Sequence, residues 1–172
     1  MRLFLICVLF VSSFSFLAAQ DTNKIVHDEK SGKPMLIGPC TREALTDTSF
    51  SWWFNSNYKM YEPDTVTVKE IEYNSDNVKT TIVMGTWCSD SREQVPHFFK
   101  VMDEAGYPED SITMVCVGRG ISDSTGISDS LKIKLVPTFI FYRDGKELGR
   151  IIETPKKTME EDIYEILAGS TE

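Results

Sequence analysis

Histidine is nearly absent from this 172-residue chain. The two present, His27 and His97, belong to no spaced Cys/His set, so a zinc site has no evident ligands. Lysine and arginine nowhere cluster, and the formal net charge is −8, which argues against nucleic acid or an anionic membrane as the main partner. The glycine-rich stretch Gly118-Arg119-Gly120-Ile121-Ser122-Asp123-Ser124-Thr125-Gly126 has neither the spacing nor the lysine of a phosphate-binding loop. It reads as a mobile polar loop. No internal repeat is present, and no residue pattern calls for a cofactor.

Long apolar runs are also lacking. Met1 to Gln20 carries one basic residue, Arg2, then an apolar run from Leu3 to Val11, a Ser/Phe segment and Leu17-Ala18-Ala19-Gln20. This is the pattern of a secretory signal peptide over residues 1–20, cut near Ala19 or Gln20, and the run is short for a bilayer span. A retained membrane anchor is the alternative. Export to a periplasm or the extracellular space is expected, with no stable membrane insertion after cleavage. Cys7 would leave with the signal, so Cys40, Cys88 and Cys116 remain. An odd count in an exported protein leaves at least one thiol free, mixed or intermolecular. The mature chain, roughly 150 residues, is the size of one domain.

What is present centres on Thr80 to Pro96. Thr80 to Met84 is β-branched and apolar without a polar face, which suits a strand covered on both sides. Gly85 and Thr86 end it. Cys88 then falls at the start of a segment, Ser91 to Ala105, in which Val95, Phe98, Phe99 and Met102 recur at helical spacing. The first turn of a helix presents unpaired N–H groups and a partial positive charge, both of which favour a thiolate. Arg92 would reinforce that effect and Asp90 would oppose it, so the balance depends on where they point.

Around this stretch, Ile25-Val26-His27 and Met35-Leu36-Ile37 flank the turn-like Glu29 to Pro34 and suggest a hairpin beside the core. Thr41 begins an expected helix carrying Ala44, Leu45, Phe50, Phe54, Tyr58 and Tyr61, with Trp52 and Trp53 inside it. Its aromatic face either packs on the core or forms an apolar platform for a partner near Cys88. Glu62-Pro63-Asp64 ends that helix, and Thr65 to Tyr73 reads as a strand. Residues 21–77 thus form an N-terminal extension on a core of residues 78–172. Ser111 to Val117 is a strand that buries Cys116 as an inert thiol. A short helix is expected near Ser128 to Ile133. Thr138 to Tyr142 and Glu147 to Ile152 are strands joined through Asp144-Gly145, a hairpin signal. Thr158 to Leu167 is the closing helix.

Trp87-Cys88-Ser89-Asp90-Ser91, Pro96 eight residues after Cys88, and Val136-Pro137-Thr138 leading into a strand together resemble the thioredoxin-like superfamily, in its exported bacterial type. The resemblance spans about Val78 to Leu167. It implies an α/β thioredoxin-like fold, with a central mixed sheet flanked by helices and an N-terminal extension. It also implies a cis peptide at Pro137, with Trp87, Val136 and Pro137 shaping a site for a substrate cysteine. Two departures bear on chemistry. Ser91 stands where the family's resolving cysteine belongs, making the motif a monothiol Cys-x-x-Ser, and Ile82 stands where many members carry a buried aspartate. Cys88, with Ser91 beside it, is therefore expected to carry thiol–disulfide exchange of an oxidoreductase or isomerase-like kind, limited by the missing second cysteine. The partner is a cysteine-containing polypeptide or an external thiol. The alternative is a non-catalytic module that binds a polypeptide in the groove beside Cys88 and Pro137. Cys40 is either a distant resolving thiol for Cys88 or a half-buried residue at a helix start.

Overall fold

The computed structural model describes residues 22–123 and 125–169. The expected signal peptide lies outside the described residues. Strand β3 (Val78–Met84) runs through the middle of the sheet, where Ile82, Val83 and Met84 are fully buried. It pairs in parallel with β4 (Ile112–Cys116) and antiparallel with β5 (Thr138–Arg143), so the strand reading of Thr80 to Met84 holds. At one edge, β6 (Lys146–Ile152) joins β5 through Asp144-Gly145. Both turn residues adopt positive φ, 51° and 77°, as a two-residue turn matched to strand twist requires. At the other edge, β1 (Lys24–His27) and β2 (Pro34–Cys40) form the expected hairpin, and the end of β2 pairs with β4. The mixed sheet has the order β1-β2-β4-β3-β5-β6.

Two expectations for the N-terminal part need correction. The aromatic helix is not continuous from Thr41. A 3₁₀ turn over Arg42–Thr46 is followed by a break at Asp47, whose carboxylate accepts from the Ser49 N–H at 2.8 Å, before α1 (Ser51–Met60) begins. Thr65 to Tyr73 is not a strand but helix α2 (Thr65–Asn74). Asp64 caps it, accepting from the backbone N–H and the hydroxyl of Thr67, both at 2.8 Å. Val68 and Ile71, three residues apart, enter the core from one face. The cap and this packing outweigh the β-branched propensity of Thr65-Val66-Thr67-Val68.

The long helix α3 (Ser89–Glu104) lies over the sheet face that carries Ile82 and Met84, together with α1, α2 and the closing helix α5 (Met159–Leu167). Phe98 stacks on Phe139 with ring centroids 5.0 Å apart, and Phe99 meets Phe54 of α1 edge-on. Thr158 closes a capping box with Glu161 at the start of α5. The opposite sheet face, at Val83 and Val117, is covered by Ile121, Leu131 and Ile133 around the short helix α4 (Ile127–Ser130).

Pro96 sits inside α3, and its missing N–H leaves the Arg92 carbonyl without its helical donor. Asn57 of α1 supplies one. Its Nδ2 donates to the Arg92 carbonyl at 3.1 Å and to the Trp53 carbonyl at 3.0 Å, so α1 is pinned to the first turns of α3. Asn57→Ala is expected to cost about 1–2 kcal/mol, read as a lower urea midpoint at unchanged m-value. In a Pro96→Ala background the cost should shrink, because the restored N–H serves the same carbonyl. An equal cost in both backgrounds would show that Asn57 acts elsewhere.

Candidate functional site

Buried β3 delivers the chain to the site at Gly85. A Cβ there would lie 2.7 Å from the Trp87 indole, so only glycine lets that ring fold back over the strand end. The Trp87 Nε1–H donates to the Val117 carbonyl at 2.9 Å, and the Cys88 N–H donates to the Gly85 carbonyl at 2.9 Å. Cys88 is the N-cap of α3, half-buried, in an extended conformation. Its side chain makes no cap hydrogen bond. Instead, Sγ donates to the carbonyl of Val136 at 3.2 Å. The Val136-Pro137 peptide is cis. Trp87, Cys88, Val136 and Pro137, separated by about half the core in sequence, are thus one cluster, with Val83 and Val117 beneath it.

Ser91 is fully buried, and its hydroxyl accepts from the Gly85 N–H at 3.2 Å, tying the first turn of α3 to the end of β3. Ile82 is enclosed in the apolar core between Met114 and Phe139. Arg92 reaches the Thr86 carbonyl through Nε at 2.7 Å, so its guanidinium is anchored on the loop that precedes Cys88.

Cys40 is not placed to resolve Cys88. It lies at the end of β2 in the core under the helices, whereas Cys88 packs with Val83, Val117 and Val136 on the other sheet face. Cys116 is buried as expected, and burial, then the neighbouring Cys40 thiol, push its thiol well up. Cys40, Cys88 and Cys116 carry no disulfide. His97 stacks on Tyr61 at 4.1 Å, and burial pushes its imidazole down, which fits a packing role. Among the described residues, no group of three or more His, Cys, Asp or Glu side chains is gathered to hold a metal ion.

Several contacts around the site have no sequence signal. The Arg119 guanidinium lies 5.1 Å from the Trp87 ring centroid and is gripped by Asp28 through Nε at 2.9 Å and a terminal nitrogen at 2.7 Å. The two residues are 91 positions apart, and only their opposite charges hinted at pairing. Leu36 of β2 donates its N–H to the Thr86 hydroxyl at 3.1 Å. Trp52 is 65% exposed, whereas Trp53 and Phe54 are buried, so both readings of the aromatic helix find residues. Trp52 lines a cavity of about 300 Å³ with Lys33, Pro34, Thr86 and Arg92.

This strand order, the cysteine at the start of α3 and the cis proline beside it define a thioredoxin-like α/β fold. No protein-family model matches the chain. Over 100 residues it is 25% identical to thioredoxin from Gallus gallus, covering 57% of this chain and 90% of that protein. Among solved structures, it is similar to a Pseudomonas aeruginosa protein of unknown function at 13% identity, with a TM-score of 0.47 over 70% of this chain and 80% of that one. It is also similar to mitochondrial thioredoxin 3 of Saccharomyces cerevisiae at 21% identity, with a TM-score of 0.35 over 56% and 86% of the two chains.

Hydrogen bonds from Arg119, then from the Ser31 hydroxyl, hold the Asp28 carboxyl well below the usual carboxylate range. A carboxyl depressed in the folded state contributes stability that is complete above its unfolded pKa, about 3.9, and is lost as pH falls toward the folded value. Asp28→Asn is therefore expected to lower Tm at neutral pH and to lose less Tm than the wild type between about pH 4 and pH 2. Parallel Tm curves over that range would show that the pair contributes nothing through its charge.

Proposed function

We propose that this is an exported thioredoxin-like protein that performs thiol–disulfide exchange through the single thiol of Cys88. The observation that carries the reading is the position of Cys88: half-exposed at the start of α3, with its sulfur on the Val136 carbonyl beside cis Pro137. The helix start favours the thiolate, and the groove along Val136 offers backbone against which an extended peptide can lie. The likeness to a thioredoxin supports the same class of chemistry. Export rests on the signal-like pattern of residues 1–20. Among the described residues, no helix is long and apolar enough to cross a membrane.

In this reading the Cys88 thiolate attacks one sulfur of a disulfide in a partner polypeptide. The Cys88–partner bond forms as the partner's disulfide breaks, and its other sulfur leaves as a thiolate. Ser91 carries oxygen where a resolving thiol would act, so the mixed disulfide persists until an external thiol attacks it. That attack falls on the partner's sulfur, so a disulfide forms between the external thiol and the partner while Cys88 leaves as the thiolate. The exposed Trp52 above its cavity favours a second reading, a binding module that holds a polypeptide beside Cys88 without turnover.

Two substitutions separate these readings. Cys88→Ser should abolish exchange and mixed-disulfide capture. Partner binding that survives this change undiminished would favour the binding module. Ser91→Cys should raise insulin disulfide reduction by roughly tenfold or more, since only sulfur can complete the exchange. No gain in a folded Ser91→Cys variant would show that the apolar surroundings at Ile82, rather than the missing thiol, set the limit.

A further inference from the structure

We propose that Cys40 and Cys116 form a second redox site, closing to a disulfide by exchange with a small external disulfide, independently of Cys88. Strand β2 runs antiparallel to β4 with Gly38 opposite Cys116 and Cys40 opposite Met114, so the two cysteines are diagonal neighbours. Alternate residues of a strand share a face, and Leu36, Cys40, Met114 and Cys116 all enter the same core. Diagonal Cα pairs typically lie about 7–8 Å apart, just beyond the roughly 6.8 Å that a disulfide usually spans, so closure needs the strands to draw together by about 1 Å.

Local geometry favours closing that gap. The Cys40 sulfur donates to the Gly38 carbonyl at 3.2 Å, so it leans back along β2 toward the residue opposite Cys116. Gly38 has no side chain to stand between the sulfurs. Its φ of +83° also marks a kink where β2 passes from pairing with β1 to pairing with β4. After burial, the neighbouring Cys40 thiol is the next cause that pushes the Cys116 thiol up, as two groups that sense one another would.

Access to the pair is one-sided. Cys40 is itself buried, at 7% exposure, but lines an open cavity of about 260 Å³ with Thr41, Arg42 and Phe99, whereas Cys116 has no exposure. Cys40 is therefore the attacking thiol. Its thiolate displaces one thiolate from the external disulfide and forms a mixed disulfide. The Cys116 thiolate then attacks the Cys40 sulfur and displaces the second. One external disulfide and two protein thiols become one protein disulfide and two small thiols, and two electrons pass from protein to oxidant. Cys88 is left as the free thiol.

The test is incubation of the reduced full chain with glutathione disulfide, followed by alkylation and tryptic digestion without reduction. Cys40, Cys88 and Cys116 fall in separate peptides, residues 31–42, 80–92 and 101–119. The expected product links 31–42 to 101–119. It should form equally in a Cys88→Ser variant and disappear in Cys40→Ser. The oxidised wild type should also melt about 5 °C or more above the reduced form. Recovery of Cys40 and Cys116 as separately alkylated or glutathionylated residues would overturn the proposal, as would linkage of 31–42 to 80–92. Because the link is read in Cys88→Ser as well, its failure is distinguishable from failure of the exchange chemistry at Cys88.

Discussion

Burial of β3 on both of its faces fixes the point in space where the chain turns into α3, and every feature of the site hangs from that point. Ile82 and Met84 pack under the helices while Val83 packs under the segment around α4, so β3 cannot shift without opening two cores. Register with β4 and β5 sets the level at which the strand ends. Gly85 then admits the Trp87 ring and donates its N–H to the Ser91 hydroxyl, so strand end and helix start form one closed turn. Cys88 lies within that turn, facing the Val136 carbonyl.

The N-terminal segment is part of the same construction. Leu36 bonds Thr86, Asn57 bonds the Arg92 carbonyl, and Asp28 orients Arg119 against Trp87. These three contacts come from β2, α1 and the β1–β2 turn, and each ends within a few residues of Cys88 or on the ring beside it. A segment that reads in sequence as an extension therefore holds the loop that carries Cys88 in place. It also supplies one wall of the neighbouring cavity through Pro34 and Trp52.

What was legible in the sequence was local. The apolar run of β3, the helical spacing of Val95, Phe98, Phe99 and Met102, the Asp144-Gly145 turn and the Val136-Pro137 dipeptide each carry their signal within a few residues. The misreading of α2 had a local cause too. Four consecutive β-branched residues outweighed Asp64, whose spacing to Thr67 was the available sign of a helix start. The remaining misses were long-range. Asn57 has meaning only once Pro96 is known to leave the Arg92 carbonyl bare and α1 is known to lie beside α3, and no periodicity links Asp28 to Arg119. The neighbour of Cys40 is likewise set by the β2–β4 register, which sequence does not specify.

The fold sets Cys88 apart as the half-buried thiol at a helix start and buries Cys40 and Cys116. Site-resolved alkylation of the reduced, folded protein with iodoacetamide tests this distinction most directly. Cys88 is expected to react at least about tenfold faster than Cys40 and faster still than Cys116, with all three rates converging in denaturant. Comparable rates at Cys88 and Cys116 in the folded protein would show that the fold does not distinguish the two thiols.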